Sequence, residues 1–426
     1  IIENKKDFQI IDTSKATLNK LVTIEQLNKS PKKDGFIIFQ IRMLERLYRR
    51  MNPGTAIKLH SYAKIEDILK ADWSKIDEKK NHPIIKSKKS YTINWVMSPP
   101  GKGSGGHQNL FRFIRYMELA GHKNRIYLYS TIDHRTLAQI KSTLDSSYPS
   151  VTADIQWLDS EMELADAVFA TGWETAYPVF NSNLTAKRFY FVQDFEPYFS
   201  AVGSEYVLAE NSYRFGFQGI TAGGWLEKKL RDEYGMQTDH YDFGADKSLY
   251  RFDNKKKRKE IFFYARPVTA RRGFELGIMA LTQFYNKHPE YTITLAGWDV
   301  KDYEIPFPYN NLKTMDISEL SDVYNKCSAA LVISLTNMSL LPLELLACGT
   351  IPVVNDSPNN RLVSDNPFIA YCENNPSALA EKLSEVVSRT DLEKYAKDAS
   401  QSVEGANWDE SGKKFVQIFE KRIING

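Results

Sequence analysis

Short apolar runs alternate with segments whose apolar positions return every three or four residues, and this alternation begins abruptly near residue 90. Residues 91–97 read as a buried strand. Ser98-Pro99-Pro100-Gly101 breaks it, and Leu110, Phe113, Ile114 and Met117 mark one helix face that ends at Gly121. Strands are then predicted over 125–130, 154–158, 166–171, 187–193 and 217–221, with a helical pattern such as 225–234 interleaved. A second series follows: strand 261–265, helix 273–285, strand 291–296, helix 318–327, strand 329–335, helix 342–348 and strand 351–355. Alternation of this kind implies two α/β halves, each a mostly parallel sheet covered on both faces.

The flanks differ from these halves. Residues 1–89 are Lys-rich, with one amphipathic helix expected over 36–50 on the spacing of Ile37, Ile38, Ile41, Leu44 and Leu47. The last segment, 407–426, carries Phe415, Ile418 and Phe419 at helical spacing and suits a helix packing back onto the first half. The expected organisation is a helical extension (1–89), a first Rossmann-like domain (90–245), a second (246–406) and the terminal helix. The lapse of pattern around 243–259, ending in the run Lys255-Lys256-Lys257-Arg258-Lys259, reads as an interdomain connection and a hydrated surface turn.

Composition narrows the function. A chain of 426 residues with 42% hydrophobic and 26% charged positions is an ordinary globular protein of two to three domains at about 150 residues each. A formal charge of +3 is too small for a dedicated nucleic-acid binder, so any anion site is local. Cys327, Cys348 and Cys372 make no closed disulfide set and no CxxC pair. The chain has no uninterrupted apolar leader and no run of about 18 apolar residues, so a cytoplasmic protein without a transmembrane segment is expected, with peripheral association at the inner face of the membrane left open. The 12% aromatic content supplies core, or a surface on which sugars stack.

Three loops carry candidate chemistry. Gly101-Lys102-Gly103-Ser104-Gly105-Gly106 joins a strand to a helix, so its amides can approach a diphosphate; the dinucleotide alternative lacks an acid at the tip of the next strand. Arg266, Arg271 and Arg272 place guanidinium groups in one strand-to-helix loop, matched to phosphate oxygens. Glu344, in the first turn of a helix, either stabilises that helix or accepts both ribose hydroxyls, while the amides of the Met338-Ser339-Leu340 turn contact the diphosphate.

Five stretches in order then carry a resemblance: Gly103-Ser104-Gly105-Gly106-His107, Phe191 through Pro197, Ala265-Arg266-Pro267 through Arg271-Arg272-Gly273, Leu295-Ala296-Gly297-Trp298, and Leu343 through Val354. The sequence resembles the retaining glycosyltransferases of GT-B fold, and more narrowly the bacterial rhamnosyltransferases that use dTDP-rhamnose in S-layer and cell-surface glycan assembly. The resemblance implies two facing Rossmann-like domains, the second holding a nucleotide-sugar donor and the first a glycan acceptor, lipid-linked acceptors included. It implies no metal and no cofactor.

By that resemblance Arg266, Arg271 and Arg272 with Gly105, Gly106, Met338, Ser339 and Leu340 contact the donor diphosphate, and Glu344, Gly297 and Trp298 the nucleoside. The family commonly has a second Glu eight residues before the position of Glu344, where this chain has Thr336, and a His-Asp pair where this chain has Gln193-Asp194. Asp194, Glu196 and His107 become the catalytic candidates. A nucleotide-sugar epimerase of similar fold and a nucleotide-sugar-binding protein without turnover are the alternatives.

Overall fold

The computed structural model describes residues 61–426 apart from 134, 254–257, 339 and 425–426. The helix expected over 36–50 lies outside the described residues. Residues 61–300 and 305–426 form one compact unit built on two parallel sheets.

The first sheet has seven strands in the order β3-β2-β1-β4-β5-β6-β7. In chain order these are β1 (Thr92–Met97), β2 (Lys123–Leu128), β3 (Asp154–Trp157), β4 (Ala167–Ala170), β5 (Lys187–Val192), β6 (Gln218–Ala222) and β7 (Thr238–Tyr241). Central strands read as unbroken apolar runs because helices cover both faces, and β5 is buried along its whole length. Trp95, Phe169 and Phe189 stack in series across β1, β4 and β5, with ring centroids 4.1 and 4.8 Å apart. Helix Trp408–Ile424 adds Phe415, Phe419 and Ile423 to this core, with Phe415 4.6 Å from Phe113. The end of the chain thus completes the core of the first lobe.

Residues 61–89, grouped by the sequence pattern with the N-terminal extension, pack on the first lobe. Lys64 N–H donates to the Tyr129 hydroxyl (2.7 Å), and Asn181 Nδ2 donates to the Asp67 carbonyl (2.7 Å). Arg188, fully buried in β5, donates to the carbonyls of Lys80, Val179, Ser182, Leu184 and Ala186 at 2.9–3.1 Å. One guanidinium thereby satisfies carbonyls that would otherwise be buried without donors.

The second sheet has six strands in the order β10-β9-β8-β11-β12-β13. They are β8 (Glu260–Tyr264), β9 (Thr292–Ala296), β10 (Tyr309–Asn311), β11 (Cys327–Val332), β12 (Ile351–Asn355) and β13 (Ala370–Cys372). The strand expected over 329–335 stops at Val332: Asn355 Oδ1 takes the Ser334 amide at 2.9 Å and turns the chain out of the sheet. Arg258, assigned by its neighbours to a hydrated turn, instead donates to the carbonyls of Cys327 (3.0 Å) and Cys348 (2.6 Å), bracing the start of β11. All three cysteines are free.

The chain crosses between lobes twice at one place, where Ala245 N–H donates to the Ala406 carbonyl at 3.0 Å. A Cβ on Gly244 would lie 2.6 Å from the Asn407 carbonyl carbon, so the two crossings touch backbone to backbone. In each sheet the strand order reverses once, between β1 and β4 and between β8 and β11. Crevices open at the carboxyl ends of strands at such switch points.

Candidate active site

The loops after β8 and β11 build the second lobe's side of the site. Arg266 follows β8, with its guanidinium 5.9 Å from the Tyr264 ring and 6.0 Å from the Trp298 ring. Gly297 makes this wall possible: it adopts φ 112°, and a Cβ there would meet the Tyr264 ring at 2.6 Å. The short 3-10 turn Ala270–Arg272 presents Arg271, whose guanidinium lies 4.1 Å over the Phe199 ring of the first lobe. The Nε atoms of Arg266 and Arg271 are both buried without a hydrogen-bond partner. Burial holds Arg271 below the usual guanidinium range, Asp194 opposes that shift, and Arg266 adds repulsion. An anion beside the two guanidinium groups relieves that repulsion.

Arg272 is committed elsewhere. Its Nη1 donates to Ser334 Oγ (3.0 Å), which donates in turn to the Asn337 carbonyl (2.9 Å), so this arginine shapes the loop after β11. The Met338 amide, expected at a diphosphate, donates to the Asn359 carbonyl at 3.2 Å, because the loop folds onto helix Pro358–Arg361. Leu340 gives its carbonyl to the amides of Leu343 and Glu344, opening helix Leu341–Ala347. Ser339 lies outside the described residues.

Asp194, at the end of β5, joins the lobes. Its Oδ1 accepts the Asn337 amide (2.9 Å) and its Oδ2 the Thr336 hydroxyl (2.9 Å), while Arg271 Nε stands 3.6 Å from Oδ2. Asn337 Nδ2 donates to the carbonyls of Gln193 (3.1 Å) and Ala222 (2.8 Å). Burial raises the Asp194 carboxyl above its ordinary value, against the Asn337 amide and the two arginines. These contacts leave the group bonded across the cleft.

Glu196 and His107 are also engaged. Glu196 Oε2 accepts the Trp173 amide (2.5 Å) and the Tyr190 hydroxyl (3.0 Å), tying the loops after β4 and β5 together; burial, then Glu174, pushes its pKa well up. His107 Nε2 bonds the Ser98 carbonyl (2.9 Å) and Nδ1 the Ser104 hydroxyl (2.9 Å). Nε2 therefore carries the proton, and burial lowers the ring's pKa, so the imidazole is a neutral brace for the Gly-rich loop. In that loop Gln193 Nε2 donates to the Gly106 carbonyl at 3.0 Å, and Gly101, Gly103 and Gly105 face open space where a Cβ would stand.

Glu344 lies nearer the crossing. Its carboxylate accepts a hydrogen bond from Tyr250, and burial pushes its pKa up to about 7 against the pull of Tyr250 and Arg112. Arg112 comes from the first lobe, 3.9 Å over the Trp408 ring. The sequence pattern gives no role to Phe199, Tyr250 or Arg112, because each gains its role from a partner distant in the chain. Among the described residues no three His, Cys, Asp or Glu side chains gather as a metal site, and no helix is long and apolar enough to cross a membrane.

Two parallel Rossmann-like sheets, each with one switch point, make this a GT-B fold. HepE from Anabaena, solved with UDP-glucose, matches 78% of this chain and 100% of its own at TM-score 0.60 and 13% identity. TarM matches 79% of this chain and 99% of its own at TM-score 0.59 and 8% identity. Within that class, residues 259–384 match the model of the C-terminal domain of WsaF. The O-antigen biosynthesis protein RfbC of Myxococcus xanthus is 30% identical over 332 residues, 75% of this chain. The chain spans about a quarter of that relative, 26% of its length.

Proposed function

We propose that the chain is a glycosyltransferase that moves a sugar from a nucleotide-sugar donor onto a glycan acceptor in cell-surface polysaccharide assembly. The observation that carries the reading is the pair Arg266 and Arg271, two guanidinium groups at the switch point of the second sheet whose buried Nε atoms donate no hydrogen bond, with Arg271 Nε set against the Asp194 carboxylate at 3.6 Å. Charge grows on a departing diphosphate as the sugar gains oxocarbenium character, and fixed cations in a crevice stabilise that charge more than they stabilise the ground state. Glu344, freed from Tyr250, accepts the ribose hydroxyls. Resemblance supports L-rhamnose from dTDP-β-L-rhamnose as the donor and retention of configuration, with the acceptor attacking from the face that the diphosphate leaves.

A thermal-shift panel of dTDP-, UDP- and GDP-linked sugars tests this. A donor present at about 100 times its Kd stabilises the folded protein by about 2.7 kcal/mol. The expected result is a rise in Tm with one nucleotide class and its loss in Arg266→Ala. A panel that leaves Tm unmoved removes the reading. Release of nucleoside diphosphate only when acceptor is added separates transfer from epimerisation and from binding without turnover.

A further inference from the structure

Phe199 ends the 3-10 turn Glu196–Phe199, five residues past Asp194 on the loop after β5. One face of its ring carries the Arg271 guanidinium at 4.1 Å, yet the side chain is still 47% exposed. Tyr198 beside it is 45% exposed and is held edge-on to Phe195, 4.7 Å between centroids and 78° between planes. Val202 just beyond is 88% exposed. Ser200 donates to Glu205 Oε2 at 2.9 Å, so hydroxyl and carboxylate groups border the rings. Exposed aromatic faces fixed in orientation and edged by hydrogen-bonding groups match a pyranose, whose C–H face is apolar and whose rim is hydroxyl.

We propose that Phe199 is the acceptor platform: one ring face positions Arg271 for the donor, and the exposed side, with Tyr198, stacks a sugar ring of the acceptor glycan. The inference rests on the proposed donor site, because only a diphosphate held by Arg271 makes the neighbouring surface an acceptor subsite. A single ring then links the two substrates. Its face fixes the cation that draws off the leaving group, and its other side places the attacking hydroxyl beside the same cleft. The half-exposed position separates this role from core packing, since a buried structural ring would not leave so much of its surface to solvent.

The test uses Phe199→Leu, which keeps bulk and removes the π face, and Phe199→Tyr, which restores it. Affinity for dTDP, UDP and GDP is measured by calorimetry, and contact with methyl α-L-rhamnopyranoside and methyl α-D-glucopyranoside by saturation-transfer NMR with the nucleotide bound. In Phe199→Leu the nucleotide Kd rises about two- to fivefold as Arg271 loses its stacking partner. The glycoside contact falls roughly two- to tenfold, while Phe199→Tyr keeps both and Tm stays level in all three proteins. Glycoside contact that is equal in wild type and Phe199→Leu, or absent from wild type with nucleotide bound, overturns the platform and leaves the donor site standing. Failure of wild type to bind dTDP, UDP and GDP alike overturns the donor site, and the platform with it.

Discussion

The Thr336 hydroxyl donates to Asp194 Oδ2 at 2.9 Å, tying the loop after β11 to the loop after β5. By the resemblance drawn from the sequence, a glutamate commonly stands at the position of Thr336. A carboxylate there would face Asp194 and turn an attraction between lobes into a repulsion. With Thr336 in place, and with the Asn337 amide on Oδ1, the loops meet through neutral donors on a carboxylate.

Removing that hydroxyl by Thr336→Val should cost about 0.5–1.5 kcal/mol in urea denaturation, the usual net worth of one hydrogen bond. Asp194→Asn should cost about 1–3 kcal/mol, because the amide removes the charge that strengthens the bonds from Asn337 and Thr336 and faces Arg271. The double variant should cost less than the sum, since both changes break the same bond.

Arg266→Ala and Arg271→Ala should each weaken nucleotide binding roughly 10- to 150-fold, equivalent to about 1.5–3 kcal/mol for a charge-assisted contact, as read by calorimetry. Arg266→Ala should leave Tm level or slightly higher, because it removes a cation that repels Arg271. A Tm loss in Arg266→Ala without an affinity loss would give that residue a structural role.

Glu344 provides a pH signature. Burial lifts its pKa from 4.5 to about 7 in the folded state, so the native protein holds this proton more tightly than the unfolded chain. Its contribution to stability is complete below 4.5 and is lost as pH rises through about 7. Nucleotide affinity should run the opposite way, rising between roughly pH 6 and 8 as the carboxylate forms and can accept two ribose hydroxyls. Titrations of affinity and Tm should both flatten in Glu344→Gln.

At the crossing between lobes, Gly244→Ala should destabilise by about 1–3 kcal/mol, since its Cβ would press on the Asn407 and Trp408 backbone at 2.6 Å. Gly101→Ala should change denaturation little, because no atom lies within 4 Å of the added carbon.

Arg188→Met should cost about 2–5 kcal/mol in urea denaturation, because the carbonyls of Lys80, Val179, Ser182, Leu184 and Ala186 lose their shared donor. Arg188→Lys should recover part of it, as an ammonium offers fewer donors with less reach.

The chain's own pattern determined both α/β series, the helix Trp408–Ile424 and the loops where Arg266, Arg271 and Glu344 stand, because strands buried on two faces write long apolar runs. It did not announce β7, β10 or β13, which are short strands at sheet edges, where half of the hydrogen-bonding and packing constraint is missing. Nor did it separate Arg271, set against Asp194 and Phe199 of the other lobe, from Arg272, drawn onto Ser334, or show that Asp194, Glu196 and His107 are bonded on several sides. Residue type and spacing set which groups reach the carboxyl ends of the strands. Which of them are taken up by hydrogen bonds depends on partners 62 residues away for Arg272 and 142 for Asp194, and only folding brings those together.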